Sequence, residues 1–483
     1  MRLEKLLTFL INPDQTGFIQ NRFSFTNMRR LLNIIQYSKQ TNCKAFSVSL
    51  DAEKAFDRIE WKYLFNVLER FGIGGDFLKW IKILYNSPSA CVMTNGVLSP
   101  PFTIHRGTRQ GYPLSPLLFA LVLEPLAVVI RSHQNIHGVM IGGKVHKIAL
   151  YADDILLFVT KPDISMPSIL STIYEFGSFS GYKINFDKSE AMPLGSATVQ
   201  DLPSSCSLRC SQHGFTYLGI NVSPNLTELW KLNFSPTLRK IRGDLERWFD
   251  LPLSFMGRIS LIKMNIFPRL LYPLQMLPLW LSKKVTTDIE RAFSRFIWHG
   301  KRPRQKITAL QLPVDRGGLA LPNLYYYNWA CHARYLWEWL HAHLTSNPCL
   351  ESWASQPASL WSLITGDRKR LSRDIKHNPI IYNTVRVWQR IWNHLGGGLC
   401  SSLLTPLTRN QDFIPGLEPS IFDLWHDRGV RVIGDLFTEN ILMTFQQLQT
   451  KFGIPKEHFF GFSPNLPFHW FYEALSFWIG HTE

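Results

Sequence analysis

Two short apolar runs, residues 145–150 and 155–159, are separated by only four residues, Tyr151-Ala152-Asp153-Asp154. Both runs read as strands, and a gap this short folds them back on one another as an antiparallel hairpin. The hairpin presents two carboxylates at its turn. Adjacent aspartates at a buried tip repel each other and resist desolvation, so the arrangement calls for a neutralising divalent cation, and the hard, oxygen-seeking Mg²⁺ fits it. Taken alone, a polar turn containing two aspartates is also a chemically idle way to end a strand.

A third carboxylate shifts the balance. Asp51 ends another β-rich run, residues 45–50, of sequence Ala-Phe-Ser-Val-Ser-Leu. Carboxylates on two adjacent strands can bridge a pair of metal ions. Transfer of a nucleotide to a 3′-hydroxyl needs such a pair, one ion at the attacking oxygen and one at the triphosphate and leaving group.

Three motifs now stand in order along the chain: Ser49-Leu50-Asp51-Ala52-Glu53-Lys54-Ala55-Phe56-Asp57, Arg109-Gln110-Gly111-Tyr112-Pro113-Leu114-Ser115-Pro116 and Tyr151-Ala152-Asp153-Asp154. Together they resemble the palm of a reverse transcriptase, with the LINE class of non-LTR retrotransposon polyproteins as the nearest match. The resemblance implies an α+β fold, a right-hand polymerase palm made of an antiparallel sheet with covering helices, followed by a mostly helical thumb and connection region. It implies an RNA-directed DNA polymerase that binds two Mg²⁺ ions through Asp51, Asp153 and Asp154 and works on an RNA template, a DNA primer and deoxynucleoside triphosphates.

The same resemblance suggests further site residues. An aromatic ring at Phe56, beside the sugar of an incoming nucleotide, would clash with a 2′-hydroxyl and so select deoxynucleotides. The other reading of Phe56 is the first core residue of a helix whose apolar face continues through Ile59, Tyr63 and Leu64. Asp57 reads as a solvated or capping carboxylate. Gln110 and Gly111 are expected to contact template or nucleotide, with Pro113 and Ser115 shaping the start of an apolar helix over 117–130. After an amphipathic helix over 164–179, the stretch 181–189 resembles the family's next motif. Lys188, preferred to Lys183, would stabilise or protonate the leaving pyrophosphate, although a lysine at a strand end is ordinarily a surface residue. The run 215–220 resembles the hairpin that grips a primer end, which makes Phe215, Leu218, Gly219 and the motif residue Tyr151 primer or template contacts.

The beginning of the chain bears on activity. Asn12-Pro13-Asp14-Gln15-Thr16-Gly17-Phe18-Ile19 resembles sequence that follows the first fingers strands, and only eleven residues precede it. Missing early fingers are expected to weaken nucleotide binding, and Arg29 and Arg30 are expected on the exposed face of a helix over 25–38. The alternative function is therefore a catalytically silent, truncated retroelement remnant that binds nucleic acid.

A formal net charge of +16 favours a polyanionic partner, and the excess is heavier beyond residue 222. There Arg291, Arg295, Arg302 and Arg304 alternate with Phe293, Phe296 and Trp298, either as a stacking and phosphate-binding surface or as a helix with an aromatic core face and a solvated basic face. Helical spacing over 230–249, 255–267 and 285–298 predicts three thumb helices. The expected domains are 1–222, fingers remnant and palm; 223–395, helical thumb and connection; and 396–483, a small terminal module.

Polar and proline interruptions argue against a membrane span at 114–130 and 270–281. Seven cysteines without a pairing pattern suggest a reducing compartment, and Cys206, Cys210 and His213 lack a fourth zinc ligand. Location inside the cell, in nucleus or cytoplasm, follows from the implied function only, and the sequence does not indicate an oligomeric state.

Overall fold

The computed structural model describes residues 2–204, 206–340, 346–356, 360–365, 371–394, 419–438 and 441–456. The chain divides into two compact units, Met1–Tyr327 with Thr345–Leu350, and Asn328–Leu344 with Glu351–Glu483.

The first unit opens with helices α1 (Arg2–Leu10) and α2 (Ser24–Thr41), strand β1 (Ala45–Ala52), and helices α3 (Ala55–Arg58), α4 (Trp61–Arg70) and α5 (Gly75–Leu84). Four two-residue strands follow, β2 (Ser89–Ala90), β3 (Met93–Thr94), β4 (Val97–Leu98) and β5 (Phe102–Thr103), with β2 paired to β5 and β3 to β4. After helix α6 (Ser115–Ser132), β6 (Val139–Ile141) and β7 (Lys144–His146) form a ribbon. The hairpin is β8 (Ile148–Tyr151) and β9 (Asp154–Val159). Helix α7 (Pro162–Ser180) leads to β10 (Ile184–Leu194), β11 (Arg209–Cys210) and a last hairpin, β12 (Phe215–Tyr217) with β13 (Ile220–Val222).

Five strands form one sheet in the order β11-β10-β1-β9-β8. β1 lies at its centre, paired with β10 on one side and β9 on the other, and Phe46, Val48 and Leu50, each at most 1% exposed, alternate along it on one buried face. Ile155, Leu157 and Val159 of β9 join the same core, together with Leu118, Leu121 and Val122 of α6 and Ile169 and Ile173 of α7. Burying one such side chain contributes roughly 1.5–3 kcal/mol. By length and composition α6 is apolar enough to cross a membrane, but 67% of it is buried in the fold, which accounts for a helix apolar on nearly every face.

Two expectations about the sheet are corrected. It is mixed rather than purely antiparallel, since β11 runs parallel to β10. The strand expected over 145–150 is broken at Lys147, where β7 turns to pair with β6 while β8 pairs with β9. A third correction concerns α2. Arg29 and Arg30 are 1% and 5% exposed, because α2 is covered on almost all sides, with Met28, Leu31, Leu32 and Ile34 fully buried. Arg30 is compensated by Asp14, Nη1 to Oδ1 2.5 Å, and lies 5.7 Å from the Phe158 ring centre.

Beyond the last hairpin come α8 (Ser235–Arg247), α9 (Phe255–Leu261), α10 (Phe267–Met276), α11 (Lys283–Ile297) and α12 (Ile307–Gln311). The helix expected to stop at Phe267 continues to Met276. A π-helical turn, Ile262–Ile266, precedes Pro268, and the changed hydrogen-bond register accommodates a residue that lacks an N–H and would crowd the preceding turn. Arg258, 3% exposed, ties this bundle together by donating to the carbonyls of Phe249, Leu251 and Phe296.

Helix α13 spans Leu324–Leu340. The second unit holds two apolar clusters, one around Leu363, Ile375, Ile381 and Val385 and one around Trp425, Val430, Leu436 and Leu448. The glycine run expected to open a terminal module, 396–398, lies outside the described residues.

Candidate active site

The last rung between β1 and β9 pairs Leu50 with Ile155, so Asp51 follows one residue later beside Asp154. On the other side of β9, Tyr151 pairs with Asp154, which leaves Ala152 and Asp153 as a two-residue turn. Ala152 adopts the left-handed conformation, φ +54°. All three aspartates thus lie at one end of the sheet.

Their electrostatics follow from that crowding. Burial raises the Asp153 carboxyl above its ordinary range, and the charge of Asp51 adds to the effect. Burial likewise pushes Asp154 up to about 6, with Asp153 and then Asp51 contributing. Tyr182 is 4% exposed, and its hydroxyl has no hydrogen-bond partner among the described residues. Its ionisation is suppressed first by burial and then by the three aspartates.

This chemistry fits a divalent cation: hard oxygen donors whose mutual repulsion a cation would relieve. Among the described residues, no group of three His, Cys, Asp or Glu side chains is already gathered to hold a metal. The aspartates are electrostatic neighbours, not a closed cage.

The hairpin turn is held by a segment whose role the sequence reading missed. Residues 12–19 run along the free edge of β8, where Thr16 N–H donates to the Leu150 carbonyl and Leu150 N–H to that of Asp14. Gln15, 1% exposed, places its side-chain amide on the turn: Nε2 donates to the Ala152 carbonyl at 3.1 Å, and Oε1 accepts from the N–H of Ala152 at 3.0 Å and of Gly17 at 2.8 Å. Only glycine fits at 17, because a Cβ there would lie 2.1 Å from the Ala152 nitrogen. Asn27 of α2 donates to both Leu150 O and Thr16 Oγ1. Arg22 donates to the carbonyls of Thr8, Ile11, Asn12 and Gln15.

Phe56 serves the core reading and leaves room for the other. Half-buried in α3, it stacks on Phe119 with ring centres 4.3 Å apart and meets Phe18 edge-on at 6.4 Å. The loop carrying Gln110 and Gly111 is pinned beside it, with Thr108 N–H donating to the Phe56 carbonyl and Trp61 Nε1 to that of Gly107. Gly107 needs its freedom, since a Cβ would come within 2.7 Å of the Asp57 carbonyl oxygen. Gln110 is exposed and donates from Nε2 to Asp57 Oδ1 at 3.2 Å; Gly111 is exposed, with open space around it.

Lys188 lies where the ladder is interrupted. β10 pairs Glu190 with Ser49 and Asn185 with Asp51, so residues 186–189 bulge out opposite the strand end that carries Asp51. Ser189 closes the bulge by accepting from Asp51 N–H and donating to the Asn185 carbonyl. Lys188 is exposed on it, whereas Lys183 is engaged by Glu53 at 3.0 Å.

The hairpin bearing Phe215, Leu218 and Gly219 turns on Leu218 and Gly219, both at positive φ, +48° and +69°. Phe215 is buried. From α10, Tyr272 reaches this turn and donates to the Leu218 carbonyl at 2.5 Å. Its ionisation is suppressed by burial and then by Tyr151 and Asp154, so the turn, Tyr272 and the aspartates share one neighbourhood.

The arginines farther along are exposed. Arg291 pairs with Asp288 and Arg295 lies over the Phe249 ring, while Arg302 and Arg304 follow the end of α11. Phe293 and Phe296 are 3% and 1% exposed, so they are core residues and do not offer faces for base stacking.

Residues 1–222 match the family model for reverse transcriptase (RNA-dependent DNA polymerase). The uncharacterised 149 kDa protein of transposon TX1 from Xenopus laevis is 28% identical over 323 residues, 66% of this chain and 24% of that protein. The Pol polyprotein of the type-2 retrotransposable element R2DM from Drosophila melanogaster is 25% identical over 353 residues, 71% of this chain and 32% of the polyprotein. The chain therefore spans about a quarter to a third of the length of these relatives. Among solved structures, telomerase from Candida albicans with a fragment of telomeric RNA aligns at TM-score 0.33 and 12% identity, covering 74% of this chain and 53% of that one.

Proposed function

We propose, from the premise that residues 1–222 match the reverse transcriptase family and that the relatives are a transposon protein and a Pol polyprotein of a retrotransposable element, that this chain is the RNA-directed DNA polymerase part of a LINE-type, non-LTR retrotransposon. The observation that carries the reading is the convergence of Asp51, Asp153 and Asp154 at one sheet end, with Asp153 and Asp154 reluctant to ionise. Divalent cations, in this reading two Mg²⁺ ions, would supply charge neutralisation and Lewis acidity for the attacking 3′-hydroxyl and the departing pyrophosphate.

The chain's own residues do the rest. The three carboxylates would hold the ions, and their carriers β1, β8 and β9 are adjacent strands of a packed sheet, so the ligands move little relative to one another. Phe56, braced by Phe119, would close the space beside the sugar against a 2′-hydroxyl. Gln110 and Gly111 would meet template or nucleotide, and exposed Lys188 would face the leaving pyrophosphate. The turn at Leu218-Gly219, held by Tyr272, and Tyr151 would take the primer end.

Primer extension on an RNA template with Mg²⁺ and deoxynucleotides tests the assignment. Wild-type chain extends and Asp153→Asn does not, while both retain primer-template in a gel shift. Extension by Asp153→Asn, or binding without any extension by wild type, overturns it.

A further inference from the structure

We infer that Gln15 is a positioning residue for the carboxylate pair Asp153-Asp154, acting as a side-chain clamp on the hairpin turn; the inference rests on the polymerase reading above. In a two-residue hairpin the turn residues lie outside the strand ladder, so their backbone groups need partners from elsewhere. Ala152 also carries a side chain in a backbone region that L residues other than asparagine and aspartate avoid, and such a conformation persists only when its surroundings enforce it.

Gln15 meets both needs with one group. Its amide takes the Ala152 carbonyl and the Ala152 N–H at once, as an opposing strand would, and spends its second acceptor position on Gly17 N–H. The side chain is itself anchored: it is 1% exposed, the carbonyl of Gln15 is held by Arg22, and the flanking backbone pairs with Leu150. Gly17 presses the turn from beneath at a distance no side chain allows. The conformation of residue 152 aims both following aspartates, so fixing it fixes them.

Neighbouring Thr16 provides the comparison. Its hydroxyl donates to the Leu150 carbonyl and accepts from Asn27, so it stabilises the same strap but touches β8 before the turn. A merely structural role for Gln15 predicts that losing either residue has the same consequences. A positioning role predicts that only the loss of Gln15 disturbs the carboxylates.

The test is Mn²⁺ binding without substrate, followed by the free-ion electron paramagnetic resonance signal, for wild type, Gln15→Met and Thr16→Val, with thermal melting in chelator to compare stability. Gln15→Met should weaken Mn²⁺ binding by about tenfold or more, the order of loss found when the supports that orient metal ligands are removed. Thr16→Val should lower the melting temperature and keep wild-type affinity. If Gln15→Met does not fold, Gln15→Asn substitutes for it, since it keeps an amide but is too short to span both backbone groups.

Unchanged Mn²⁺ affinity in the Gln15 variant, or equal weakening in Thr16→Val, overturns the inference. Its failure is separable from failure of the polymerase reading: wild type that extends a primer while Gln15→Met binds Mn²⁺ normally refutes the clamp alone, whereas wild type that neither binds Mn²⁺ nor extends refutes both.

Discussion

Replacing Asp154 with asparagine should stabilise the metal-free protein while destroying its activity. In the folded chain this carboxyl titrates at about 6, against an ordinary value of 3.8, through burial and the charges of Asp153 and Asp51. At roughly 1.4 kcal/mol per unit, the shift corresponds to about 3 kcal/mol of disfavour for the charged form. The side chain keeps partial contact with solvent, and screening reduces the expected gain to roughly 1–2 kcal/mol. The sign follows from proton linkage. Between about pH 4 and pH 6 the folded state binds the proton more tightly than the unfolded state, so wild-type stability falls as pH rises through that window and stays lower above it. Asp154→Asn lacks this loss. Thermal unfolding in chelator at pH 4.5 and pH 8 should show the variant melting roughly 1–3 °C above wild type at pH 8 and near it at pH 4.5. Added Mg²⁺ should then raise wild type more than the variant. No gain at pH 8, or the same gain at both pH values, would refute the picture of a charge held against its preference.

Phe56→Val should reduce the preference for deoxynucleotides over ribonucleotides by roughly tenfold or more, read from the ratio of kcat/KM values, and cost about 1–2 kcal/mol through lost stacking on Phe119. An unchanged ratio would leave Phe56 as core only. Asp14→Ala should cost about 3 kcal/mol in denaturant unfolding, because it strips the carboxylate from buried Arg30 and removes a second contact to Arg131. A loss below roughly 1 kcal/mol would show that Arg30 finds compensation elsewhere.

Much of the palm was legible because its signals are local. The hydrophobic run ending at Asp51 and the two runs flanking Tyr151-Ala152-Asp153-Asp154 carry strand character within a few residues, and their motifs stand in a recognisable order. Periodicity failed where burial is not one-sided. Helix α2 looked amphipathic, yet Arg29 and Arg30 are buried, and for Arg30 the aspartate and aromatic partners come from other segments. The continuation of the helix through Pro268 depends on a π-helical turn, which leaves no compositional mark. The bulge at 186–189 was equally hidden, since it is defined by two rungs with β1 and not by the residues themselves. Gln15 escaped notice for the same reason: a glutamine in a polar stretch is unremarkable until the fold brings Ala152 to it.

The strap also sets a timetable for maturation. Gln15 and Ala152 are 137 positions apart, the longest reach among the contacts that shape the hairpin turn. Contacts of such separation are slow to close, and a ribosome delivers the strap well before the hairpin it must grip. During that interval the strap offers unpaired backbone groups to any extended segment nearby. The sheet can start from β1, β9 and β8 through closer neighbours, but its carboxylates acquire their final aim only when the earlier-made strap docks. Competence for chemistry would therefore lag behind compactness, and a probe of the turn should report later than a probe of the core in the same refolding trace.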